Sequence, residues 1–320
     1  MSRVLVTGGC GFIGSAMVKL LLKKGFDVRV FDISFQIEDN PPPKEAEIYK
    51  GSILDVNDLM NAMKDCDYVI HLAAALGVKR TESERLSTLT INIQGTVNVL
   101  EACVRDDIKK IVFSSSSEVY GEQPSNKPIS EENPLNPKSI YAVTKIACEE
   151  YLKAYHQRYN LNYSIVRFFN VYGPNQVAEF VIPRFINAVM NNTPPQIYGD
   201  GNQCRSFCYV DDAVNGAYLA LINDKADRDV FNIGNDLEPI TIRDLAYKII
   251  DIAGKNIEPV FIPLNDSDRT IKREIFFRIP DISKARRILR YEPKVPLREG
   301  ILKIIEHGKI NQTWAKPTTR

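Results

Sequence analysis

The first half of the chain alternates short apolar runs with longer amphipathic ones. "RVLVTG" (3–8) has the length and composition of a strand, and "SAMVKLLLKKG" (15–25) then carries apolar residues at helical spacing and closes on Gly25. "DVRVFD" (27–32), "YVIHLAA" (68–74), "KKIVFSS" (109–115) and "YSIVRFFNV" (163–171) repeat the strand theme. Helical patterns such as "TVNVLEACVRD" (96–106) and "IACEEYLKAYHQRY" (146–159) separate them. Near-continuous apolar strands alternating with helices predict βαβ units and a doubly wound parallel sheet, an α/β fold with helices on both faces.

The rhythm changes after "YGPNQ". Prolines at 174, 183, 194 and 195 interrupt it, and only "RDLAYKIIDIAG" (243–254) and "DISKARRILR" (281–290) read as later helices. The expected organisation is a sheet domain over 1–172, with a segment near 208–233 returning to it. A smaller, interleaved α/β domain over 173–320 would hold the substrate. No internal repeat is visible, and the end, "NQTWAKPTTR", has little to bury.

Composition narrows the class. The chain has 320 residues, 44% apolar and 25% charged, with a net charge of +1. That balance leaves no broad basic surface for nucleic acid or an anionic membrane. No secretory leader and no bilayer-length apolar run is seen, so the expected location is cytoplasmic. The six cysteines (10, 66, 103, 148, 204, 208) form no C-x-x-C pair, and the histidines (71, 156, 307) lie far apart, which predicts reduced thiols and no metal site.

Chemistry enters with "VTGGCGFIGS". It fits G-x-G-x-x-G at Gly9, Gly11 and Gly14, and G-x-x-G-x-x-G at Gly8, Gly11 and Gly14, between a strand and a helix beginning near Phe12 and Ile13. Such glycines admit a pyrophosphate to the backbone, and the helix start offers it free N–H groups. Asp32 ends the second strand, where a carboxylate accepts from ribose hydroxyls and repels a 2′-phosphate, so the expected cofactor is NAD rather than NADP. In "YAVTK", Tyr141 and Lys145 are four apart on one helical face. A lysine ammonium there is expected to lower the phenol's pKa and make Tyr141 an acid/base.

These motifs, with "HLAA", "SSSSEVYG", "RFFNVYGPNQ" and "GDGNQCRSFCYVDD", come in an order that resembles the extended short-chain dehydrogenase/reductase family of nucleotide-sugar epimerases, dehydratases and decarboxylases. The resemblance runs over nearly the whole chain. It implies that Tyr141 takes a proton from a sugar hydroxyl while NAD takes the hydride, with Lys145 on the nicotinamide ribose. It makes Ser116 the serine that bonds the reacting hydroxyl, with Ser117 beside the substrate and Ser114 and Ser115 in packing roles. Gly8, Gly11, Phe12, Ile13, Gly14, Asp32, Leu72, Ala73, Ala74 and Phe169 would line the cofactor. Ser52 and Ile53 would lie near the adenine, although relatives commonly carry aspartate at position 52. Asn170, Arg205 and Arg273, with Arg278 as a further partner, would hold the substrate's diphosphate, and a guanidinium fork suits two phosphate oxygens. Asn175 stands where arginine is frequent, and Lys79 and Arg80 read as solvated.

Glu118 leaves alternatives open. In hexose 4,6-dehydratases this register holds the glutamate that removes the C5 proton; in 4-epimerases it tends to be small or neutral. GDP-mannose dehydratases and UDP-glucuronate decarboxylases share the serine before it, whereas dTDP-glucose dehydratases carry aspartate there. A carboxylate that only bonds the backbone of its loop is the remaining reading. The preferred expectation is a 4-epimerase acting on a nucleotide-diphosphate sugar, UDP favoured, through transient oxidation at C4, with a dehydratase or decarboxylase using Glu118 as the alternative. A non-catalytic NAD-binding regulator would be expected to lack Tyr141 or Lys145. Family analogy also implies a homodimer through the helices after Ile91 and after Tyr141.

Overall fold

The computed structural model describes residues 2–263 and 274–310. Seven parallel strands form its central sheet: β1 (Arg3–Thr7), β2 (Asp27–Asp32), β3 (Glu47–Lys50), β4 (Tyr68–His71), β5 (Lys110–Ser116), β6 (Tyr163–Phe168) and a last strand, Asp229–Ile233. Their spatial order is Asp229–Ile233, β6, β5, β4, β1, β2, β3. Register is fixed strand to strand: Thr7 pairs with Phe31 on one side and His71 on the other, and Ser115 with Arg167. Every residue of β6 is buried, as expected for a strand covered on both faces.

Helices cover the two faces and divide the core. One cluster joins Val4, Val6 and Val30 to helix α1 (Phe12–Lys23), to helix Val210–Ile222 and on to Ile301 and Ile305 of the C-terminal helix. The opposite face packs Leu5, Val69, Ile111 and Phe113 against Val99, Cys103, Cys148 and Leu152. Each fully buried Leu, Ile or Phe adds roughly 1.5–3 kcal/mol of apolar burial, so these two layers carry most of the driving force. The six cysteines are free.

Three small sheets lie beyond β6. Val171–Tyr172 pairs with Cys208–Tyr209; Cys204–Arg205 sits between Ile240–Thr241 and Phe277–Arg278; and Gln196–Tyr198 pairs with Val260–Ile262. No described helix is long and apolar enough to cross a membrane.

The order of strands reverses between β1 and β4. In such sheets, ligands bind in the crevice beyond the carboxyl ends of the strands at that point.

Candidate active site

The glycine-rich turn leads from β1 into α1. Gly8 has φ +70°, and its amide donates to the Phe31 carbonyl at 2.9 Å. A Cβ on Gly14 would lie 2.0 Å from the Gly8 oxygen, whereas one on Gly11 would meet only that oxygen, at 3.2 Å. Gly14 therefore lets the helix close on the turn, and Gly11 leaves open space above it. No side chain caps α1 at Gly11, which leaves its first amides for a ligand.

Asp32 stands across from that turn. Its Oδ2 accepts from the Cys10 amide and its Oδ1 from the Ile33 amide, each at 2.9 Å. Burial raises its pKa, against the lowering effect of those two bonds. Lone pairs remain on both oxygens for a ribose diol. Ser52 Oγ accepts from the Leu54 amide, and the Ile53 carbonyl accepts from Asn98 Nδ2. Ala73 follows the end of β4, its amide within 3.4 Å of Thr7 Oγ1. The residues present fit a dinucleotide with a free 2′-hydroxyl.

The second half of the site comes from β5 and helix Ile140–Tyr159. Ser139 caps that helix, its Oγ accepting from the Ala142 amide and donating to Glu118 Oε2 at 3.0 Å. Glu118 itself lies in the 3₁₀ turn Ser117–Tyr120, where its amide donates to Ser116 Oγ at 3.2 Å. Lys145 is buried, donates to the Ser114 carbonyl at 2.7 Å, and its ammonium lies 5.6 Å from the centre of the Tyr141 ring. Burial lowers its pKa to about 8.

The expected lowering of the tyrosine's pKa is not found. Burial, and then the Glu118 carboxylate, hold the Tyr141 phenol above its ordinary value. The lysine's ammonium is bonded to the Ser114 carbonyl, and burial outweighs it at the phenol.

Residues 4–234 match the NAD dependent epimerase/dehydratase family. The chain belongs to that family. It is an NAD-dependent nucleotide-sugar epimerase/dehydratase and thus an enzyme of the extended short-chain dehydrogenase/reductase type. It is 37% identical to a putative UDP-glucose 4-epimerase of Methanocaldococcus jannaschii over 96% of this chain and 99% of that one. It is 34% identical to a UDP-N-acetyl-alpha-D-glucosaminuronate decarboxylase of Bacillus cytotoxicus, covering 95% and 97%. Among solved structures it is similar to the UDP-glucose 4-epimerase of Thermus thermophilus in complex with NAD, with TM-score 0.87, 31% identity and coverage of 96% and 99%.

Of the residues expected to hold the substrate's diphosphate in this epimerase/dehydratase, Asn170 and Arg278 are bonded to each other. Asn170, at φ +39°, donates from Nδ2 to the Ser206 carbonyl at 2.8 Å and accepts from Arg278 at 3.1 Å. Arg205 is buried, donates to the carbonyls of Cys204 and Ile275, and lies 3.8 Å from Glu274. Arg273 lies outside the described residues. Phe169 is fully buried, its ring 5.9 Å from that of Tyr120. Ser117 is buried too.

Sequence reasoning missed the polar groups under the site. Asn92 sits in a π-helical turn, Thr90–Gln94; it accepts from the Ala75 amide at 2.7 Å and donates to Thr144 Oγ1 at 3.0 Å, tying the loop after β4 to the Tyr141 helix. His71 bridges Thr7 Oγ1 at 2.6 Å and Thr96 Oγ1 at 3.1 Å. Thr96 gives its own proton to the Asn92 carbonyl, so His71 donates from Nε2 and accepts at Nδ1. Their partners are 17 to 64 residues away, and no local pattern marks them.

Proposed function

We propose that the enzyme interconverts the C4 epimers of a UDP-hexose. The observation that carries this reading is the bond from Lys145 to the Ser114 carbonyl, which ties the helix that bears Tyr141 and Lys145 to the strand that ends at Ser116. Full-length likeness to UDP-sugar 4-epimerases supports it. The uncapped helix start at Gly11 and the Asp32 carboxylate would hold NAD, which would accept the hydride from C4. Tyr141 removes the proton from the C4 hydroxyl while Ser116 bonds that oxygen, leaving a 4-keto sugar. After the sugar turns over, C4 takes the hydride back on its opposite face while Tyr141 returns the proton to the oxygen. Lys145 offsets the phenolate charge, which the burial of Tyr141 and the Glu118 carboxylate otherwise oppose. Asn170, Arg205, Arg278 and Arg273 hold the diphosphate.

Incubation in D2O with UDP-, dTDP-, GDP- and CDP-hexoses and UDP-glucuronate, followed by mass spectrometry, tests the reading. An isomer of unchanged mass without deuterium is expected from a UDP-hexose. Loss of water with deuterium uptake would replace the epimerase by a dehydratase, and loss of carbon dioxide by a decarboxylase. A specific observation favours that second reading: Glu118 follows Ser116 by two residues in the turn that ends β5, and its carboxylate accepts from the hydroxyl that caps the Tyr141 helix. Its bond to Ser139 supports the epimerase, because it gives the carboxylate a structural partner at the helix cap.

We propose further that the enzyme pairs into a homodimer through helices Arg85–Leu89 and Ile140–Tyr159, the first of these in place of the helix after Ile91 that family analogy implied. Leu86, 78% exposed, and the exposed Val143 and Tyr151 on those two packed helices support this.

A further inference from the structure

The serine run raises the question of what holds Ser116 in place. Its own tether is slight, a bond accepted from the Glu118 amide at 3.2 Å. The two residues before it are held far more firmly. Lys145 takes the carbonyl of Ser114 at 2.7 Å. One helical turn further on, Glu149 takes the hydroxyl of Ser115 at 2.5 Å.

Glu149 is 1% exposed, and a carboxylate so buried requires a charge partner. Arg167, which faces Ser115 across the β5–β6 ladder, supplies it in a two-pronged pair, Nε at 3.0 Å and Nη2 at 2.6 Å. Its third nitrogen, Nη1, donates to the Tyr120 hydroxyl at 2.9 Å, and that hydroxyl donates to Asn232 at 2.7 Å. Asn232 belongs to the last strand of the sheet and also donates to the Ile129 carbonyl at 2.8 Å. Ser115, Glu149, Arg167, Tyr120 and Asn232 thus form one buried polar chain from the catalytic helix across β5 and β6 to the sheet's edge. It also fixes the far end of the 3₁₀ turn that carries Glu118.

We infer that Glu149 and Arg167 are positioning residues for catalysis: through Ser115 they clamp the end of β5 so that the Ser116 hydroxyl meets the reacting oxygen of the sugar. Helix and strand are joined at two successive residues, Lys145 to Ser114 and Glu149 to Ser115, and Ser116 inherits its place from both. Both oxygens of Glu149 are engaged by Ser115 and Arg167. The inference rests on the role proposed for Ser116.

The test is a double-mutant cycle on kcat with a UDP-hexose, using Ser115→Ala, Ser116→Ala and the pair, with bound NAD and Tm measured on each. Ser115→Ala removes the hydroxyl and leaves the Glu149–Arg167 pair intact, so the fold survives; Glu149→Gln, which leaves Arg167 buried without its counter-charge, is expected to lose stability as well as activity. Ser116→Ala is expected to lower kcat about a hundredfold. Ser115→Ala is expected to lower kcat about tenfold, with KM, NAD content and Tm close to those of the parent. Added to Ser116→Ala, it is expected to cost nothing further, because the group it positions is gone. A full tenfold loss in the double variant overturns the positioning role while leaving Ser116 as assigned. A fall in Tm with kcat unchanged makes the chain purely structural and also overturns it. Parent-like kcat in Ser116→Ala removes the role of Ser116, and the inference with it.

Discussion

Tyr141 and His71 show how burial, reinforced by a neighbouring charge, sets protonation at single residues. Tyr141→Phe removes only an oxygen; turnover is expected to fall by about 10²–10⁴, the range of general acid–base contributions, with NAD still bound, as checked by assay and by cofactor release on denaturation. His71, buried and next to the Lys145 charge, has its pKa lowered to about 3. The unfolded chain takes up a proton near pH 6.5, the folded one does not, so stability is whole above that value and falls as the solution is acidified toward pH 3. Between pH 7 and pH 5 the loss from this residue amounts to about 2 kcal/mol. Urea unfolding at the two pH values is expected to show that loss in the parent and a smaller one in His71→Asn. Equal losses would place the acid sensitivity elsewhere.

The glycine turn behaves as an element, because its residues answer to different neighbours. Gly14→Ala forces a Cβ onto the Gly8 oxygen, so a drop in Tm and loss of NAD together are expected. Gly11→Ala meets nothing closer than 3.2 Å, so Tm is expected to hold while NAD affinity, read by calorimetry, falls at least tenfold as the methyl crowds the pyrophosphate. This turn, Asp32 and the Tyr141–Lys145 pair were legible because each depends on residues a few positions apart. Strands β1, β2, β4, β5 and β6 were legible for the same reason, being apolar on both faces. β3, "EIYK", has three exposed residues of four and carries no such signal. Helix Val181–Met190 was hidden by Pro183, which sits in the first turn, where it removes no intrahelical bond. Spacing misjudges the protonation of Tyr141 because it reports only that Lys145 shares its face, and the fold alone reports which way the ammonium turns.

At the scale of the molecule, two helices leave apolar side chains in water. Leu86, Val143 and Tyr151 are exposed on two helices that pack against each other. Sedimentation at micromolar concentration is expected to give twice the 36.2 kDa of the chain. Leu86→Arg combined with Tyr151→Glu is expected to give the monomer. A parent that sediments as a single chain would remove the assembly from the proposal.

The strand Asp229–Ile233 closes the edge of the sheet beside β6, yet about 60 residues of the smaller sheets and their helices separate the two in sequence. During synthesis β6 therefore leaves the ribosome with one flank unpaired. At about 5–20 residues per second, several seconds pass before its partner is made. For that interval a strand destined to be wholly buried offers open N–H and C=O groups to any neighbouring nascent chain. Tyr120 and Arg167 wait as long for Asn232, so the buried polar chain behind Ser116 is completed only when the sheet is. A chain that stops short of residue 229 would carry every catalytic side chain proposed here and still be a client for chaperones.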